Sequence, residues 1–171
     1  MTRCRIALVA FALIAVTTLA RADHGRGKNS LKASLDGYHE VPAVSSTGTG
    51  ELRLRINADD SIDYELTYAD LEGATTTASH VHLGQKSVNG GVSFFLCGGG
   101  GRPACTPGSG SFSGTVTAAN IIGPAGQGIA AAEMAEVLEA LRSGVTYVNV
   151  HTDKHPGGEI RGQINGQRGE D

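Results

Sequence analysis

The chain has 171 residues, 25 of them glycine, with no tryptophan and only four tyrosines and four phenylalanines. That length suits one domain. The formal charge of −3 and the lack of a basic patch make nucleic acid and anionic membrane surfaces poor partners.

The first segment, MTRCRIALVAFALIAVTTLARA, reads as a signal peptide over residues 1–22. Arg3 and Arg5 precede an apolar run from Ile6 to Leu19, and Ala20-Arg21-Ala22 fits an A-x-A cleavage site before Asp23. The apolar run, about fourteen residues, falls short of the ~20 that cross a bilayer, so no membrane span is expected after cleavage. The expected compartment is the periplasm or the exterior. Loss of Arg3, Arg5 and Arg21 lowers the basic residues from 14 to 11 against 17 acidic ones, a net charge of −6. Cys4 leaves as well. Cys97 and Cys105, in an oxidising compartment, are then expected to form a disulfide. A thiolate metal pair is the weaker alternative, because CGGGGRPAC has no C-x-x-C spacing.

Residues 23–30 read as a flexible polar leader, 31–166 as the domain and 167–171 as a polar tail. From Leu31 onward short runs of period two alternate with turn residues. Leu52, Leu54 and Ile56 alternate with Arg53, Arg55 and Asn57. After a turn at Asn57–Ser61, Ile62, Tyr64, Leu66 and Tyr68 resume the alternation, which predicts a hairpin with one buried and one wet face. LKASLDG, ASHVHLG, GGVSFFLC, GSFSGTVTA, VTYVNVHT and GEIRGQI read as further strands. The expected class is all-β, a sandwich or barrel of seven to eight short strands. One segment, Gly128–Gly144, carries Met134, Val137, Leu138 and Leu141 at helical spacing, with Gly144 at the C-terminal stop. It predicts one crossover helix whose apolar stripe packs on the barrel.

Chemistry-bearing residues concentrate in two places. In SHVHLG, His80 and His82 are two apart and so share one face of a strand, with Val81 and Leu83 on the other. In YVNVHT, Tyr147, Asn149 and His151 oppose Val148 and Val150. If the valines face the core, all three histidines lie on the outer, polar face. Strands ~4.8 Å apart would then let them converge as a metal site with an open position. Three imidazoles suit copper, zinc or iron; the open position and export favour copper. Beyond Pro156-Gly157-Gly158, Glu159, Arg161 and Gln163 share a face. Arg161 could present a permanent charge to an anion at such a metal. Glu40, in GYHEVP, and Glu159 are candidates for carboxylates that support the ligands from outside. His155, in the turn, reads as a surface residue.

The stretches LDGYHEVPAV, ASHVHLG with VNGGVSFFLC, and GVTYVNVHTDKHPGGEIRGQI resemble the CHRD domain, named after chordin, over about Leu31 to Ile164. The resemblance implies a Greek-key, immunoglobulin-like β fold. It also implies an exported single-domain protein or, by the chordin precedent, a non-catalytic extracellular module that binds another protein. SHVHLG and YVNVHT are also similar to the copper-binding strands of copper–zinc superoxide dismutases. That similarity would make His80, His82 and His151 copper ligands and Arg161 an anion guide, with redox or oxygen chemistry as a consequence. Residues 87–110 contain no histidine, so the bridging histidine and zinc loop of those enzymes have no counterpart. No G-x-S-x-G elbow, H-E-x-x-H helix or spaced carboxylate pair argues for a hydrolase. Besides a metal ion, the expected partner is another exported or envelope protein.

Overall fold

The structure, a computed structural model, describes residues 29–166. The segments expected to be a signal peptide (1–22) and a polar tail (167–171), and most of the expected leader, lie outside the described residues. Nine strands and one helix follow in order: β1 (Ser30–Asp36), β2 (Thr49–Ile56), β3 (Ile62–Ala69), β4 (Thr76–Leu83), β5 (Val92–Cys97), β6 (Gly110–Val116), α1 (Met134–Arg142), β7 (Thr146–Thr152), β8 (Ile160–Gln163) and β9 (Asn165–Gly166). All pairings are antiparallel, in the order β5-β4-β7-β8-β1-β2-β3-β6, with β9 added beside β1. The sheet curls until its two ends approach. There the Tyr64 hydroxyl on β3 donates to the Leu96 carbonyl on β5 at 2.9 Å. The result is the all-β architecture expected, a nearly closed barrel with a single α-helix among the described residues.

Alternation explains where the core sits. Leu31, Ala33 and Leu35 of β1, Leu52, Leu54 and Ile56 of β2, and Ile62, Tyr64, Leu66 and Tyr68 of β3 all point inward and are buried. Val81, Phe94, Leu96, Val148, Val150 and Ile160 close the other wall, each fully shielded from solvent. Each such side chain is worth roughly 1.5–3 kcal/mol of transfer free energy. The disulfide joins Cys97 to Cys105 and closes a loop of sequence separation 8 beside the seam. From that loop Arg102 lies 5.4 Å over the Tyr64 ring and donates to the Thr115 carbonyl at 3.0 Å.

The helix is shorter than its sequence pattern. It begins at Met134 rather than near Gly128, because Ala132 adopts φ 66 and the Glu133 carboxylate folds back onto the Ala130 amide at 2.6 Å. That local hydrogen bond ties residues 130–133 into a turn instead of a helical start. The far end matches the pattern: Gly144, at φ 70, takes the left-handed conformation that stops the helix. Met134, Val137, Leu138 and Leu141 are buried against the barrel.

Candidate metal centre

Register assembles the site. His80 on β4 pairs with Phe95 on β5 and with Asn149 on β7; Asn149 pairs with Arg161 on β8, and Arg161 with Asp36 on β1. One residue row thus crosses five strands on the face opposite Val81 and Val148. The next rows place His82 against Tyr147 and His151 against Ala78. The three histidines converge, with one ligand nitrogen from each lying within 4.8 Å of the other two. The His80 ring centre is 4.5 Å from those of both His82 and His151.

The face is outer, as the alternation predicts, but it is not wet. His80 and His82 are 8 % and 7 % exposed, and Arg161 is 2 % exposed. The roof is the connection between β4 and β5. Gly90 accepts a hydrogen bond from His82 Nδ1 at 2.8 Å, and the Tyr147 ring stacks flat on His82, with centres 4.5 Å apart. Phe95 closes the side with an edge-on contact to His80 at 5.1 Å. His151 is half-buried and leaves the site an opening to solvent.

Arg161 holds this roof down. Its guanidinium lies 3.4 Å over the Tyr147 ring and donates to Asn89 Oδ1 at 3.0 Å, to the Val88 carbonyl at 2.8 Å and to the Gln85 carbonyl at 3.3 Å. An anion guide needs a charged group open to solvent. Buried, stacked and hydrogen-bonded to residues 85–89, Arg161 is a clamp, and that corrects the expectation for it. Glu159 is likewise occupied elsewhere. Its carboxylate accepts from Ser46 Oγ at 2.7 Å, the Glu72 amide at 2.6 Å and Thr152 Oγ1 at 2.6 Å. Burial pushes its pKa up, but these donors, with the Gly73 amide, outweigh that and hold it below the ordinary carboxylate value. None of its partners is a histidine. It ties the Ser46 and Glu72 loops to β7.

Glu40 does reach the neighbourhood. Its carboxylate is buried, Oε1 has no hydrogen-bond partner, and Oε2 accepts only a long 3.3 Å bond from the Val41 amide. Burial raises its pKa despite the attraction of Arg161 and the nearby Asn149 amide. Gly158 makes room for this approach. A Cβ there would stand 2.1 Å from Glu40 Oε1 and 2.9 Å from Asn149 Nδ2. His155 is half-buried in the turn, outside the convergent trio.

The electrostatics keep the three rings uncharged. Burial drives the His80 pKa down to about 3, helped by the neighbouring His151 and His82, and drives that of His82 down to about 4. Burial also lowers His151. All three rings are therefore neutral at ordinary pH, the form that ligates metal. Two rings are oriented by carbonyls: His82 Nδ1 faces the Gly90 oxygen, and His151 Nδ1 faces the Pro156 oxygen at 2.9 Å. Such outer hydrogen bonds fix the tautomer and aim the opposite nitrogen.

Sequence reasoning missed Asn149 as a member of the site. It lies midway between Tyr147 and His151 on the same face of one strand, so the period-two pattern itself was the signal. The roof loop gave no comparable signal, because its contribution comes mostly through backbone carbonyls. The CHRD domain profile matches residues 31–164. The chain belongs to the CHRD domain family. No curated protein and no solved structure matches it. CHRD membership supports a module-like, non-catalytic role for the domain, and among the described residues no helix is long and apolar enough to cross a membrane.

Proposed function

We propose that this is an exported CHRD protein that binds one metal ion, copper by preference, through His80, His82 and His151. The carrying observation is the convergence of three neutral imidazoles within 4.8 Å on a rigid sheet, two of them aimed by carbonyls. Imidazole suits copper, zinc and iron, and copper heads the divalent affinity order. The disulfide and the signal-like first 22 residues support an oxidising, extracytoplasmic setting. With Arg161 committed to the roof, the site fits capture and holding of a metal better than steered oxygen chemistry.

The test is a metal titration of the mature chain with Cu(II) and Zn(II), read by calorimetry and elemental analysis. Wild type is expected to take one ion per chain, and His80→Ala and His151→Ala to lose it. Equal sub-stoichiometric uptake by all three proteins would refute the site. A second reading, an interaction module for another exported or envelope protein, rests on the CHRD family alone. It expects retention of a specific partner from an envelope extract by both wild type and His80→Ala.

A further inference from the structure

The Asn149 amide oxygen faces ring nitrogens of both His82 and His151. A carbonyl oxygen only accepts, so the hydrogen bonds to Gly90 and Pro156 place the protons of His82 and His151 on Nδ1. A neutral imidazole carries one N–H, which leaves both Nε2 atoms as bare lone pairs. Those two atoms lie 3.1 and 2.9 Å from Asn149 Oδ1, itself an acceptor. His80 Nδ1 lies 2.6 Å from His82 Nε2 and, when it carries the His80 proton, donates to it. As the amide is oriented, Asn149 Oδ1 thus meets two bare nitrogens as acceptor to acceptor, a mismatch that a cation among them relieves.

Turning the amide over would let Nδ2 donate to both Nε2 atoms, but it sets oxygen against oxygen on the other side while Glu40 is ionised. It would bring Oδ1 to the side where Nδ2 lies beside the Glu40 carboxylate, the approach that Gly158 permits. Resting on the three-imidazole reading above, we propose that Asn149 Oδ1 is the fourth ligand, completing an N3O donor set with His80, His82 and His151. A hard amide oxygen beside three imidazoles suits a divalent ion, Cu(II), Zn(II) or Co(II), over the soft monovalent Cu(I).

Co(II) is the probe, because its visible and near-ultraviolet absorption reports the ligands directly. Wild type, Asn149→Leu, Asn149→Cys and His80→Ala are each titrated as the mature chain. Asn149→Leu is expected to bind at least about ten-fold more weakly with an altered cobalt spectrum, the loss typical of perturbing a metal's surroundings. Asn149→Cys is expected to show a thiolate-to-cobalt charge-transfer band absent from wild type, which requires side chain 149 to touch the metal. Wild-type affinity and spectrum in Asn149→Leu, together with no such band in Asn149→Cys, would overturn the Asn149 assignment alone. Wild type that binds no Co(II), Zn(II) or Cu(II) stoichiometrically would overturn the three-imidazole reading, and the Asn149 assignment with it.

Discussion

Two polar faces of the same sheet follow the same alternation and end in opposite environments. On β2 and β3 the outward residues are charged and stay in water. Arg55 reaches Asp63 at 3.4 Å with the two side chains 69 % and 43 % exposed, and Arg53 contacts Glu51 in the open. On β4 and β7 the outward residues are His80, His82, Asn149 and His151, and a loop roofs most of them. The strands decide which side a residue takes. Loops and their anchors decide whether that side is wet, and so whether its chemistry can differ from that of free side chains in water.

The largest expected effect is on pH. The folded-state pKa values of His80 and His82, about 3 and about 4, lie below the ordinary histidine value of 6.5 that represents the unfolded chain. As pH falls through 6.5 the unfolded chain takes up protons that the fold refuses, so stability declines until the folded values are reached. The metal-free protein should lose on the order of several kcal/mol between pH 6.5 and 4, at 1.36 kcal/mol per unit per group. The charged face behaves differently. Hydrogen bonds from Thr115 and Asn57, followed by the Arg55 contact, hold Asp63 below its ordinary value of 3.8. Its contribution is present above that value and is lost only as pH falls lower still. Urea titrations at half-unit steps separate the two windows, and a flat profile from pH 6.5 to 4.5 would contradict the roofed environment.

Next in size is the clamp. Arg161→Met removes the donors to Asn89, Val88 and Gln85 and leaves those acceptors under the roof without partners. The expected cost is about 3 kcal/mol in denaturant unfolding, the range for a broken buried polar network. The same variant should weaken metal uptake, since Gly90 no longer fixes His82. Unchanged stability would mean that the roof closes without Arg161.

Much of this was legible in the sequence, for a physical reason. Period-two patterns name the face of every strand, so the core leucines and valines and the common face of His80, His82 and His151 follow from spacing alone. The cysteine pair followed from compartment and separation. What spacing does not carry is the partner of a long side chain. Arg161 and Glu159 lie two apart, yet one reaches the roof loop and the other reaches Ser46, Thr152 and the Glu72 amide. Their roles depend on loops brought in from 72 or more residues away. The helix start was lost similarly, to a single carboxylate-to-amide bond at Glu133.

The disulfide comes third. It closes a loop of separation 8 at the seam, and the Cys97→Ser, Cys105→Ser pair should cost about 2–3 kcal/mol by loop-closure entropy. Metal affinity should hold within about threefold, a threshold of under 1 kcal/mol, because the seam reaches the imidazoles only through the edge of Phe95 against His80. A parallel loss of metal would show that the barrel seam and the roofed face are one mechanical unit.

The smallest effect tests the wet face itself. Arg53→Ser and Arg55→Ser together remove both exposed cations from β2, where screening and side-chain entropy leave ion pairs worth only ~0–1 kcal/mol. Unfolding free energy should shift by no more than about 0.5 kcal/mol per site, and by less at high salt, where screening already weakens the pairs. Metal stoichiometry should not change. A loss above about 2 kcal/mol, beyond what exposed pairs supply, would mean that this face is also covered in the working protein. The contrast between the faces would then reflect a missing partner rather than the roof loop, and the charged ladder of β2 and β3 would be the surface to probe for it.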